Sequence, residues 1–298
     1  MYESRYDGHG GRECVEFVRK YLHINFVNQL HQQGGFDNSE NVFGDVLKCL
    51  MQAHKETDEA FIKTATEEDW SSAAGSPPQG HIYCRSSGLR LCISDSPYHG
   101  QRDNLCQYRG RSGSAISEWE VSCVSVIVLI MGNAIICANT GDARAVLSRN
   151  GRAIALSNDQ RPSRQDEFKR IREAGGFVFF GRVLGKLAVS RAFGDLEYKT
   201  GLPDDQPPLV IPDPEIHADF IKDEDEFIVI ACDGLFDVLS SQEVVDFVRN
   251  RLSRMPKGEQ DPEIVCHDLV NEAILEKNSR DNVTCMIVML KRSIKGRN

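Results

Sequence analysis

The chain has 298 residues, 41% hydrophobic and 27% charged, which supplies a sizeable core and excludes a disordered or fibrous protein. Its 44 acidic residues outnumber 35 Lys and Arg, a formal net charge of -9. That balance excludes a general basic face for nucleic acid or anionic membrane and suits a protein that gathers cations.

No apolar run approaches the roughly 20 residues needed to span a bilayer, and no apolar leader follows Met1. The expectation is an intracellular protein, cytoplasmic or nuclear, with neither nucleic acid nor membrane as partner. Ten cysteines without a CxxC pair argue for reduced thiols. Cys123, Cys137, Cys232 and Cys285 lie in apolar runs, where free cysteine packs as a small hydrophobe.

From Glu13 to Leu30, apolar residues recur at three- and four-residue steps (Val15, Val18, Leu22, Phe26), the mark of one helix face. After Gly34-Gly35 a second such run, Val42 to Phe61, predicts a helix packed beside the first. Residues from about 77 to 120 lose all periodicity and read as an irregular insertion in a single domain spanning 1–298. From Val121 the pattern turns to strands: VSVIVLI, AIICA, ARAVL and RAIAL, joined at Gly132-Asn133 and Asn150-Gly151, both suited to tight hairpins.

Ser163 with Asp166 predicts a capping box for DEFKRIREA, stopped by Gly175-Gly176. FIVIACD and VTCMIVML read as strands flanking two helices, one opened by Ser240 with Glu243, the other by Asp261-Pro262. Central hairpins with helices at both ends predict an α+β layered fold rather than a parallel doubly wound one.

Three aspartates stand where the chain is expected to leave a strand: Asp7 in YDGHGG, Asp233 in ACDGLFD and Asp281 in SRDNVT. Carboxylates at strand ends are rigidly mounted yet open, and hard oxygen donors select Mg²⁺ or Mn²⁺ over zinc. Each aspartate alone is equally an ordinary turn residue. Ser190 lies in no GxSxG elbow, and the glycines from Gly181 to Gly185 do not make a dinucleotide fingerprint.

Taken in order, Tyr6-Asp7-Gly8-His9-Gly10-Gly11, Asn139-Thr140-Gly141-Asp142-Ala143-Arg144, Ser190-Arg191-Ala192-Phe193-Gly194-Asp195, Ala231-Cys232-Asp233-Gly234 and Ser279-Arg280-Asp281-Asn282 resemble the metal-dependent serine/threonine phosphatases of the protein phosphatase 2C family. The resemblance implies a four-layer α-β-β-α sandwich, two antiparallel sheets flanked by helices. It implies hydrolysis of phosphoserine and phosphothreonine in phosphorylated protein substrates by a metal-activated water, with two Mg²⁺ or Mn²⁺ ions per active site. Asp7, the Gly8 carbonyl, Asp233 and Asp281 would hold those ions, Asp142 would serve a weaker third position, and His9 would be the general acid. A monomer is expected.

Only six residues precede Asp7. Family members carry further strands there, with an arginine for the substrate phosphate and an acidic pair for the second metal, so the first strands are expected to be missing and a sheet edge left unpaired. The alternative is then a catalytically impaired pseudophosphatase that binds phosphoproteins or a partner.

Overall fold

A computed structural model of the protein describes residues 2–9, 13–33, 42–67, 82–84, 91–94, 122–203, 206–256 and 259–290; for 2–9, 82–84 and 91–94 the description is of the backbone. The Gly34-Gly35 break, Gly10-Gly11 and most of 77–120 lie outside the described residues.

In chain order the elements are β1 (Tyr2–His9), α1 (Glu13–Gln32), α2 (Val42–Glu67), β2 (Ile82–Cys84), β3 (Leu91–Ser94), β4 (Ser122–Met131), β5 (Ala134–Thr140), β6 (Arg144–Arg149) and β7 (Arg152–Ala155). There follow α3 (Gln165–Glu173), β8 (Val178–Phe179), β9 (Arg182–Val183), β10 (Phe193–Gly194), β11 (Glu215–Phe220), β12 (Asp225–Ala231), α4 (Asp233–Phe236), α5 (Ser241–Arg254), α6 (Pro262–Asn271) and β13 (Cys285–Met289). One antiparallel sheet runs β11-β5-β4-β1-β2, with β10 also on β4; the other runs β3-β13-β12-β6-β7. Helices flank the pair, so the α+β sandwich expected from the sequence is the fold observed.

Alternation along the strands decides the layering. On β4, Val124, Val126 and Val128 join Ala145, Leu147, Ile228, Ile230 and Met286 in a core between the sheets. The intervening Cys123, Ile127 and Leu129 pack instead on Val15, Val18 and Leu22 of α1 and Leu50 and Phe61 of α2. The second sheet repeats the arrangement, with Val229, Cys285 and Ile287 against Val244 and Val248 of α5 and Val265 and Leu269 of α6. A strand covered on both faces reads as a continuous apolar run, as VSVIVLI does. Each fully buried large side chain, such as Leu22, Phe61 or Phe227, stabilises the layers by about 2–3 kcal/mol.

β1 is not an edge strand. It pairs with β4 over its whole length and with β2 through Ser4↔Cys84, Arg5↔Tyr83 and Tyr6↔Ile82, so the expected unpaired edge is covered by the chain itself. β3 pairs likewise with β13, Cys285 opposite Ser94. Strands of three and four residues carry no readable period, because pairing with a longer neighbour rather than local pattern selects them. A second difference lies at α3. Arg164, not Ser163, occupies its N-cap and makes no side-chain cap, while its guanidinium instead takes the Asp166 carboxylate at 2.7 Å. The Ser240–Glu243 capping box and the Asp261 cap before Pro262 form as expected. Among the described residues no helix is long and apolar enough to cross a membrane.

The chain passes from one sheet to the other between Thr140 and Arg144, and Gly141 makes that passage possible. Its φ is +111°, and a Cβ there would overlap the Val124 side chain. Its N–H donates to Gln160 Oε1 (2.6 Å), and its carbonyl accepts from Gln160 N and Asn139 Nδ2, both at 3.0 Å. Behind this crossover His54 of α2 is fully buried and stacked on Phe193, its Nδ1 at 2.7 Å from the Leu50 carbonyl. No described residue partners its Nε2. Burial pushes the imidazole down to about 4.

Two outcomes are expected. Gly141→Ala adds a strained positive φ and an overlap in a packed core, and should lower unfolding free energy in urea by about 3 kcal/mol or more. His54, depressed in the fold, adds no penalty above pH 6.5, and protonation of the unfolded chain withdraws about 3 kcal/mol as pH falls from 6.5 to 4. His54→Phe should therefore outlast the parent in urea at pH 4.5 while matching it within about 1 kcal/mol at pH 7.5.

Candidate functional site

The registers bring the motif segments to one end of the sandwich. In the second sheet, Ala231 at the end of β12 lies opposite both Cys285 at the start of β13 and Arg144 at the start of β6. Asp233, Asp281 and Asp142 therefore all lie just beyond the same ends of three adjacent strands. In the first sheet, Asp7, Gly8 and His9 lie opposite Val124, Cys123 and Ser122 at the start of β4, and Thr140 lies opposite Ser125. Val124 packs on Gly141, so the backbone of Asp7 and the Gly141-Asp142 turn are separated by one strand. Asp7 lies within β1, two residues before its end, rather than past it as the sequence suggested. The side chains of Asp7 and His9 lie outside the described residues.

Asp233 and Asp281 are drawn together by a close backbone approach. Gly234 packs on the Asn282 carbonyl so tightly that a Cβ would overlap it, and that Cβ would sit 3.4 Å from Asp281 Cβ. Ser279 Oγ donates to the Gly234 carbonyl (2.7 Å), and the Cys232 thiol donates to the Asn282 carbonyl (3.0 Å), tying the two loops. Each carboxylate accepts the N–H of the next residue, Gly234 to Asp233 Oδ1 at 2.8 Å and Asn282 to Asp281 Oδ1 at 2.7 Å. These short-range bonds orient both side chains. Asp281 is exposed and Asp233 half-buried, so both loops open to solvent.

Asp142 is buried in the crossover, and the groups around it were not singled out from the sequence. Arg161 donates to Asp237 Oδ1 at 2.8 Å and stands 3.7 Å from Asp159. The Asp237 hydrogen bond, opposed by partial burial and aided by the charges of Asp142 and Asp159, holds its guanidinium above the ordinary range. Arg144 takes Asp159 through two nitrogens, at 3.0 and 2.7 Å, and covers the Phe236 ring at 4.6 Å. Asp237 was legible in principle: it follows Asp233 by four residues, the spacing that places two side chains on one face of a helical turn. Arg161 carries no such signal, because the partner it donates to, Asp237, comes from a loop 76 residues away.

Ser190 is buried and donates to the Gln160 carbonyl (2.8 Å), which suits a structural residue and not a nucleophile. Arg191 is held by Glu167 at 2.6 Å and by the Asp213 carbonyl at 2.9 Å. Burial pushes Glu167 up, but the Arg191 and Arg170 guanidinium groups outweigh it and hold the carboxyl below its usual range.

Among the described residues no three His, Cys, Asp or Glu side chains form a group able to hold a metal ion. The residues near that end of the strands, Asp233, Asp281 and Asp142, carry hard carboxylate oxygens, with Asp7 on the strand next to β4. In kind they fit a divalent cation of the Mg²⁺ or Mn²⁺ type.

A family model described as protein phosphatase 2C matches residues 92–283. "Probable protein phosphatase 2C 42" of Oryza sativa subsp. japonica is 36% identical over 296 residues, covering 95% of this chain and 74% of that protein. "Probable protein phosphatase 2C 21" of Arabidopsis thaliana is 32% identical over 296 residues, covering 96% and 78%. The crystal structure of serine-threonine phosphatase 2C from Toxoplasma gondii has the same fold, with a TM-score of 0.67 at 17% identity over 97% of this chain and 84% of that one. The order of motifs, the paired sheets and these relatives agree: the chain belongs to the protein phosphatase 2C family of serine/threonine protein phosphatases.

Proposed function

We propose that residues 1–298 form one domain that hydrolyses phosphoserine and phosphothreonine in protein substrates, using Mg²⁺ or Mn²⁺, two ions per site. Asp7, the Gly8 carbonyl, Asp233 and Asp281 hold the ions, Asp142 serves a weaker third position, and His9 is the general acid. The observation that carries this reading is the common end of β1, β6, β12 and β13, where every one of these residues belongs. When bound, the divalent ions supply Lewis-acid charge and lower the pKa of water to near neutrality.

The protein's own groups do the positioning. Asp233 and Asp281 are turned by bonds to their own chain, on loops locked by Gly234 and Ser279, so little side-chain entropy is lost when they accept a cation. An exposed mouth at Asp281 admits a phosphorylated loop of a protein. His9 holds a proton for the departing serine or threonine alkoxide, whose high basicity requires one.

Asp233→Asn and Asp281→Asn should each release phosphate from a phosphoserine peptide with Mn²⁺ at least about 100-fold more slowly, with unchanged circular dichroism. Activity equal to the parent in either variant sinks the metal-ligand assignment. His9→Ala should lose about 10²–10⁴-fold on that peptide but far less on p-nitrophenyl phosphate, whose phenolate leaves without a proton. Equal losses on both substrates would remove His9 from the acid role.

A further inference from the structure

Among the described residues, a cluster of exposed aromatic side chains lies on the β8–β9 hairpin. Phe177 and Phe179 are 55% and 59% exposed and alternate with the inward Val178, and Phe180 at the tip is 89% exposed. The Phe179 and Phe180 rings meet at 4.3 Å. α3 packs against β8 and adds Phe168, with the Arg172 guanidinium 5.9 Å above its ring.

The tip is built against local preference. Phe180 and Gly181 form the two-residue turn with φ of +48° and +73°, a pair that favours Asn-Gly. A bulky aromatic held left-handed and almost wholly in water gains little from the one ring it meets, Phe179, and such local strain is a mark of functional surfaces.

Charge decides what would cover it. Lys186 is matched by Glu197 at 2.6 Å and Lys169 by Glu173 at 3.7 Å. Arg172 and Arg182 have no carboxylate partner among the described residues; Arg182 donates to the Lys186 carbonyl. The hairpin is thus a basic, aromatic island on a chain of net charge -9. An extended anionic membrane would face the remaining acidic surface as well, whereas a peptide meets the island alone, within a screening length of about 8 Å. Exposed aromatic and arginine side chains are also the residues that anchor protein interfaces.

We propose that the β8–β9 hairpin docks an acidic segment of a protein substrate that carries aromatic or branched aliphatic side chains, bound apart from the phosphorylated residue. The assignment of the ligand as substrate rests on the phosphatase reading; the docking itself does not. The segment that follows the hairpin is tied to the crossover: Val183 N donates to the Leu187 carbonyl, Ser190 N and Oγ both donate to the Gln160 carbonyl, and the Gln160 side chain holds Gly141.

Fluorescence anisotropy with the full chain tests this, using an unphosphorylated fluorescein-labelled peptide of alternating Glu and Phe or Leu. Binding should weaken about tenfold or more in Phe177→Ser/Phe179→Ser, and when Lys replaces every Glu of the peptide. Phe180→Asn removes the strained aromatic, so it should weaken binding while leaving Tm unchanged or a few degrees higher. All variants should hydrolyse p-nitrophenyl phosphate as the parent does. Equal binding by parent and variants, or by the Glu and Lys peptides, overturns the proposal. So does Phe-dependent binding to phosphatidylserine vesicles without peptide binding, which makes the surface a membrane contact, or Phe-dependent dimerisation in sedimentation, which makes it a self-interface. A parent that binds the peptide but releases no phosphate from p-nitrophenyl phosphate leaves docking standing and removes the phosphatase reading alone.

Discussion

The three-residue passage from β5 to β6 is the constraint on which the site depends. Two stacked sheets present their strand ends independently unless something fixes their relative register, and here the chain crosses between them with no slack. Gly141 allows it by accepting a φ of +111° and by leaving no side chain between its backbone and Val124. Buried peptide groups at such a crossing must be paired, and Gln160 and Asn139 supply the partners for both the N–H and the carbonyl. Once the crossing is fixed, the ends of β12 and β13 in one sheet and of β1 and β4 in the other are aligned, and Asp7 near the end of β1, Asp233 after β12 and Asp281 before β13 come to a common end.

Electrostatics at that end follow from the same wiring. A cluster of carboxylates would repel and loosen the loops, yet Asp159, Asp237 and Glu167 are each held by an arginine: Arg144, Arg161 and Arg191 respectively. Exposed pairs such as Arg161–Asp237 contribute little to stability by themselves. The buried Glu167 is a different case, because removing Arg191 or Arg170 leaves its charge in a nearly dry site, a loss that exceeds what the pairs add. These arginines therefore neutralise the carboxylates that serve the scaffold, while the backbone N–H groups of Gly234 and Asn282 orient Asp233 and Asp281.

Much of the fold was legible because its signals are periodic or chemically specific. The three-and-four spacing of Val15, Val18, Leu22 and Phe26 predicted α1, the Ser240–Glu243 and Asp261-Pro262 pairs predicted two helix starts, and Asn150-Gly151 predicted a turn whose φ values are +49° and +75°. What escaped depends on partners far along the chain. β2 and β3 are too short to carry a period and exist by pairing with β1 and β13. Ser163 had the composition of a cap, but Arg164 and Asp166 prefer each other. The aspartates at the site were found from order and spacing; Arg161, Arg144 and Asp159 were not, because an ion pair between loops leaves no mark in either loop.

The same reasoning separates two kinds of local cost in this chain. At Gly141 the unusual backbone angle is taken by the residue suited to it, and the surroundings need it. At Phe180 on the hairpin and Leu184 just after it, positive φ values of 48° and 50° are taken by residues unsuited to them. A sequence whose local preferences otherwise agree with its fold keeps such conflicts where something other than stability selects them. The conflict at the crossover is resolved inside the molecule; at the hairpin tip the Phe180 ring meets Phe179 and still remains 89% exposed. The chain that leaves the hairpin is itself tied to the crossover, Ser190 donating to the Gln160 carbonyl and Gln160 pairing Gly141, so both conflicts lie along one hydrogen-bonded stretch.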